Sequence, residues 1–249
     1  MATASSTTPR ASTIFSGRNS LLDCYFYFAM SLVFAALVIA GFGPTLDEKL
    51  IHPVIAPPTI LWYHGAVFSA WLVFYIIQTA LVRTRNVRIH RTIGWAGAAL
   101  VAIMLPLGLA TGIQMVHFEI YQLHVPHRYL FLAVPFFDVG GFAVCIALAI
   151  LWRREPDLHR RLVYFGTSAL LVAAFARLDH AYMRAHSNFY LGADLLIFLG
   201  MLRDQFVDGR AHKVYRIGLP LYVVAQITVV YLWRGSPDWW VNIAHSIVG

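Results

Sequence analysis

Charge is what this chain has least of. Asp, Glu, Lys and Arg make up 12% of its residues against 59% hydrophobic ones, and the mean hydropathy is +0.65. A soluble domain usually has about a quarter of its residues charged. Half that share, with long uncharged runs, places the 249 residues in the class of polytopic membrane proteins. Cysteine is nearly missing as well. Cys24 and Cys145 each lie inside an apolar run, with no CxxC or CxxCH spacing. Covalent c-type haem and thiolate zinc sites are thereby excluded, and both thiols read as small apolar residues.

Further absences narrow the function. There is no P-loop, GxSxG or HExxH. The last apolar run has no lysine, so a retinal Schiff base is unavailable, and no HxxxH pair of the kind seven-span zinc hydrolases carry. The lone HxxH of LHVPH falls short of the histidine boxes of membrane di-iron oxygenases. The formal charge of +7 does not point to nucleic acid, because the basic residues sit in short loops between apolar runs rather than on a dense basic face.

What is present is a series of apolar runs. Residues 1–20, rich in Ser, Thr and Ala, read as a disordered cytoplasmic tail, and 21–249 as one transmembrane domain. Spans are expected at about 24–42, 60–82, 94–116 (loosened by Pro106), 130–152, 162–178, 189–203 and 217–233. The first is long for a signal-peptide core, which favours a retained helix over cleavage near Ala40–Gly43. The sixth is the weakest, being short and containing Asp194. Trp239 and Trp240 suit a membrane interface.

The expected fold is therefore all-α, a seven-helix membrane bundle. Fourteen Lys and Arg fall on the side of the tail and the loops after spans two, four and six. Only Lys49, Arg128, Arg177, Arg184 and Arg234 fall on the other. This bias predicts an N-in, C-out topology and independently supports the sixth span.

A short repeat sits in these loops. His90-Arg91-Thr92-Ile93-Gly94-Trp95-Ala96-Gly97 matches His159-Arg160-Arg161-Leu162-Val163-Tyr164-Phe165-Gly166, and Ala211-His212-Lys213 is a faint third copy. All three lead into outward-running helices, as parallel hairpin repeats would; basic residues attracted to loop entrances would look the same.

Two groups of residues could carry chemistry. His64, Trp71, Tyr75 and Gln78 form the one polar stripe of the second span, and such a stripe must face protein. His64 and His117 should reach similar depth on antiparallel neighbours, as an axial pair for haem b or as metal ligands with a carboxylate. The bland alternative is interfacial imidazoles solvated by water or headgroups, as for His124, His127, His180 and His186. His90 and His159, each followed by Arg, could ligate a cofactor while the arginines clamp its propionates or a phosphate, or could simply anchor headgroups. Asp138, Arg177 and Asp194 are the intramembrane charges. Arg177 between the two carboxylates would satisfy all three, either as a structural network or as the lining, with Gln78 and His64, of an outward-facing polar cavity.

HGAVFSAWLVFYIIQTALV with IHRTIGWAG, then VPFFDVGGF, then LHRRLVYFGTSALL ending near Arg177, resemble a family of uncharacterised bacterial multi-pass membrane proteins over about residues 60–200. That resemblance implies a bacterial cytoplasmic (inner) membrane location and no particular activity. Two function classes stay open: a haem- or metal-binding redox protein centred on His64, and a non-catalytic transporter or sensor. The lipid bilayer is the expected partner in both.

Overall fold

The computed structural model describes residues 16–178 and 189–249, and among these every regular element is helical. Helix α1 spans Ser16–Leu46 and passes into a wide turn at Asp47–Ile51; α2 spans Ile60–Arg83 and α3 Val87–Tyr121. A tight turn, Arg128–Leu132, opens α4 at Ala133–Leu151, and α5 at Pro156–Leu170 is followed by α6 at Val172–Leu178. Helix α7 covers Phe189–Asp208, α8 covers Lys213–Val230 with a wide turn at Tyr231–Gly235, and α9 covers Asp238–Val248.

Among the described residues, six stretches are long and apolar enough to cross a membrane: Leu21–Ile51, Ile60–Arg83, Val87–Tyr121, Arg128–Leu151, Pro156–Leu178 and Lys213–Gly235. They are compatible with an integral, multi-pass membrane protein. The row of outward apolar side chains on them, such as Ile39, Val73, Ile103, Leu221 and Ile227, is what lipid-facing surfaces require. Helix α7 has 20 residues but carries Asp194, Arg203, Asp204 and Asp208, and it is not one of the six.

The helices run further than their apolar cores. Residues 16–20, expected in the tail, already belong to α1, while residues 1–15 lie outside the described part, as do His180, Arg184 and His186. Helix α3 starts seven residues before its apolar run because the tight turn at Asn86 hands straight on to it: Asn86 N–H bonds to Leu81 O at 2.8 Å and His90 N–H to Asn86 O at 3.0 Å. The break between α5 and α6 has no proline. Thr167 and Ser168 instead donate their hydroxyls to Val163 O and Tyr164 O, and such side-chain bonds compete with the helical ladder. Helix α9 was not anticipated beyond its two tryptophans. It lies over the turn before α4, where Trp240 Nε1 donates to Leu130 O at 3.2 Å.

The helix ends sort into two groups. The start of α1, the α2–α3 and α4–α5 turns, and the end of α7 with the start of α8 share one end, which holds the repeated His-Arg turns and is called here the basic end. The opposite end is covered by Arg128–Leu132 and α9. The core toward the basic end is aromatic, with Phe34, Tyr75, Tyr164, Phe165 and Tyr215 drawn from α1, α2, α5 and α8.

Candidate functional site

The bundle interior holds two separate polar regions. The first lies at the basic end. Arg161 of α5 makes a two-pronged bond to Asp204 of α7, Nε to Oδ2 at 2.6 Å and Nη2 to Oδ1 at 2.9 Å. Its Nη2 also reaches Asp208 at 2.6 Å, and Nη1 reaches Asp157 Oδ1 at 3.1 Å. Arg203 donates to Asp204 Oδ1 at 2.8 Å and pairs with Asp23 of α1. Arg160 bridges Asp157 and Asp23. Arg161, Arg203 and Asp204 are all buried, and each is hydrogen-bonded to an opposite charge, although Arg203 Nε has no partner among the described residues. The network ties α1, α5 and α7 together. Arg161, one of the basic residues on the tail side, thus points inward to carboxylates rather than outward to headgroups.

Above this network, toward the bundle centre, sit Tyr27, Tyr164, Tyr215 and Tyr75. Tyr27 and Tyr215 are within electrostatic reach of Arg161 and Asp204. Tyr164 donates to Leu196 O at 2.5 Å, while the hydroxyls of Tyr27, Tyr75 and Tyr215 are buried with no hydrogen-bond partner among the described residues. Below it, a cavity of about 290 Å³ opens at the basic end, lined by Asp157, Arg161, Asp208, Arg210 and His212.

His212 caps α8, its Nδ1 accepting from Val214 N–H at 3.2 Å. Burial pushes this imidazole below its ordinary range, and the nearby Arg161 guanidinium adds to the effect. The folded state therefore holds it neutral, and stability is lost as pH falls below about 6.5, where the unfolded chain takes up the proton and the folded cap resists it. Replacing His212 with Asn should keep the cap and remove this acid sensitivity, whereas Ala should cost about 1 kcal/mol near pH 8, a difference that shrinks as acid destabilises the natural protein. Hydrogen exchange in the first turn of α8, followed from pH 8 to 5, reads both effects.

The second polar region lies deeper, between α4, α7 and α8. Asp138 of α4 is 9% exposed, and its Oδ1 is buried without a hydrogen-bond partner among the described residues. It is within electrostatic reach of Tyr190 of α7 and Tyr222 of α8, whose hydroxyls are likewise buried. Both tyrosines also feel Asp194, whose Oδ1 accepts from Gln226 Nε2 at 2.9 Å. Two carboxyls, two phenols and an amide thus converge inside apolar helices.

The residues singled out from sequence land as follows. Trp71, Tyr75 and Gln78 are buried, so the stripe of α2 faces protein, and Trp71 Nε1, Tyr75 Oη, both amide atoms of Gln78 and Nδ1 of His64 have no hydrogen-bond partner among the described residues. His64 and His117 each pack on an aromatic ring of their own helix, His64 on Phe68 at 4.0 Å and His117 on Tyr121 at 4.3 Å, and no ring contact joins them among the described residues. The histidines that do meet are His90 and His159, with ring centroids 6.1 Å apart. His159 Nδ1–H donates to Ala149 O at 2.9 Å, which leaves Nε2 as its free nitrogen. Arg177 does not sit between Asp138 and Asp194. Its Nη1 donates to Ala173 O at 2.7 Å and its guanidinium lies over Phe42 at 4.2 Å, within electrostatic reach of His64.

No group of three or more His, Cys, Asp or Glu side chains is placed to hold a metal ion among the described residues. Sequence reasoning passed over Asp23, Asp204 and Asp208 and, apart from Tyr75, the chemistry of the buried tyrosines. The signal available for Asp204 and Asp208 was their i, i+4 position on one face at the end of α7, to be met by the extra arginine of the second repeat. Compared with known proteins, the chain matches no family model, no curated protein and no solved structure.

Proposed function

We propose that the protein is a proton-handling membrane transporter of the bacterial cytoplasmic membrane, with seven spans and its N-terminus inside. The observation that carries this reading is Asp138: a carboxyl buried within an apolar span, faced by two phenol hydroxyls and close to a second carboxyl held by Gln226. Ionisable groups at such depth are expensive and typically belong to ion or proton pathways. A buried carboxyl with phenols around it is suited to taking up and releasing a proton.

The topology rests on compatible observations. Helix α7 has 20 residues, about 30 Å at 1.5 Å per residue, with Asp204 near the basic end and Asp194, beside Gln226, about 15 Å further along, a length compatible with a seventh crossing. The excess of Arg and Lys at the basic end supports a cytoplasmic side for it. The bacterial location follows from the sequence resemblance alone.

Infrared titration of the purified protein tests the function. A protonated-carboxyl band that responds to pH and disappears in Asp138→Asn is the expected result. The same band in a folded Asp138→Asn protein would reduce the cluster to a structural role.

A redox or metal role is the second reading, and the His90–His159 pair is what favours it. A Soret band or stoichiometric metal in the purified protein, lost in His159→Ala, would support it; a colourless, metal-free protein removes it.

A further inference from the structure

We propose that the ring of Phe165 is the barrier between two proton half-paths, one rising from the basic-end cavity to Tyr215 and the other formed by Tyr222, Gln226, Asp194 and Asp138. This rests on the proton-handling reading given above.

The two half-paths share a face of α8. Tyr215, Gly218, Tyr222 and Gln226 follow one another at intervals of three and four residues, so they line one stripe of the helix. Tyr215, Tyr222 and Gln226 are all buried. On the lower side, Tyr215 is within electrostatic reach of Tyr27, Tyr164, Asp204 and Arg161, and Arg161 lines the cavity together with Asp157, Asp208 and His212. On the upper side, Tyr222 faces Asp138, Asp194 and Cys145. Each side thus offers hydroxyls and carboxyls that can pass a proton by breaking one O–H bond and making the next, with nothing oxidised or reduced.

Between them the stripe is interrupted. Tyr215 and Tyr222 are separated by about 10 Å along the helix axis. The position between them is Gly218, and the ring of Phe165 lies against it: a Cβ there would stand 3.1 Å from Phe165 Cε2. Phe165 is 5% exposed and meets Tyr222 edge-on, with centroids 5.6 Å apart. An aromatic hydrocarbon has no donor or acceptor, and an apolar constriction of this kind blocks conduction by keeping water out. The missing side chain at 218 is what lets the ring fill the gap. Rotation of the ring away from Gly218 would join the two half-paths.

The full-length protein in liposomes of neutral and anionic phospholipid, with a pH-sensitive dye inside and a potassium diffusion potential imposed by valinomycin, tests this. Phe165→Ala should raise the passive proton leak about tenfold or more over the natural protein, and Phe165→Leu, which keeps an apolar plug, should not. The leak of Phe165→Ala should vanish when Asp138→Asn is added. Should the Ala variant fail to fold, Phe165→Val makes the same opening with less loss of packing. A folded Phe165→Ala protein that leaks no faster, while its Asp138 infrared band still titrates, overturns the barrier and spares the functional reading. A leak that persists with Asp138→Asn overturns the shared path. Loss of the infrared titration in the natural protein overturns the functional reading itself.

Discussion

Replacing Asp204 with Ala should destabilise the protein by about 3–5 kcal/mol, because it strips the shared carboxylate from two buried guanidiniums. Arg161 and Arg203 are each 2% exposed and Asp204 is fully buried. Asp204 accepts two bonds from Arg161 and one from Arg203. Arg203 retains Asp208 and Asp23, whereas Arg161 loses both prongs of its strongest pair. A loss of that size is a large part of the 5–15 kcal/mol that holds a typical domain folded. Removing the pair as a whole is a different experiment. Arg161→Met with Asp204→Leu leaves no orphaned charge on α5 and should lose clearly less than Asp204→Ala alone. Thermal unfolding in detergent, read by tryptophan fluorescence, orders the variants. A double variant no better than the single one would mean that side-chain packing, not charge, makes this site matter.

Gly41→Val should be the most damaging change of an apolar position. Helix α1 crosses α6 here so closely that a Cβ on residue 41 would stand 2.5 Å from the carbonyl oxygen of Ala174 and 3.0 Å from its Cα. Backbone cannot swing aside as a side chain does, so α1 must move away from α6, at a cost of about 1–3 kcal/mol or more. The shift would also disturb the Arg177–Phe42 contact one residue along. Gly43 provides the control. Nothing lies within 4 Å of a Cβ at that position, so Gly43→Ala should be neutral or gain up to about 1 kcal/mol of helix propensity. Equal losses at the two positions would show that the crossing is looser than its geometry.

The helices were legible because lipid-facing sequence is simple: long apolar runs, punctuated by basic turns, leave few alternatives. The inward direction of the α2 stripe was legible for the same reason, since Trp71, Tyr75 and Gln78 had nowhere else to point. Partners were not. Arg161 and Asp204 are 43 positions apart, and periodicity carries no information about which helices become neighbours. A basic residue in a membrane loop has a ready explanation in topology, and that explanation hid the buried pair. The repeat held a clue, because the first copy has Thr92 where the second has Arg161. A charge added where the pattern does not ask for one is better explained by a specific partner than by orientation. The placing of Arg177 between Asp138 and Asp194 failed for a related reason: all three share a depth, but Arg177 turns back along α6 toward Ala173 and Phe42.

The 35 residues of α3 amount to about 52 Å of helix, against about 30 Å of hydrocarbon in an ordinary bilayer. The surplus, about four turns in all counting both ends, has to tilt or stand clear of the acyl chains. At the end away from the His-Arg turns it stands among protein. Val116 is buried with Leu132, Trp240 and Ala244, and Ile113 and Ile120 pack on the same cluster, so the overhang is roofed by α9 and the turn before α4. An apolar helix end roofed in this way gains little when the surrounding lipid thickens and loses little when it thins. Acyl-chain length, which sorts many membrane proteins between compartments, should therefore have a weak hold on this one.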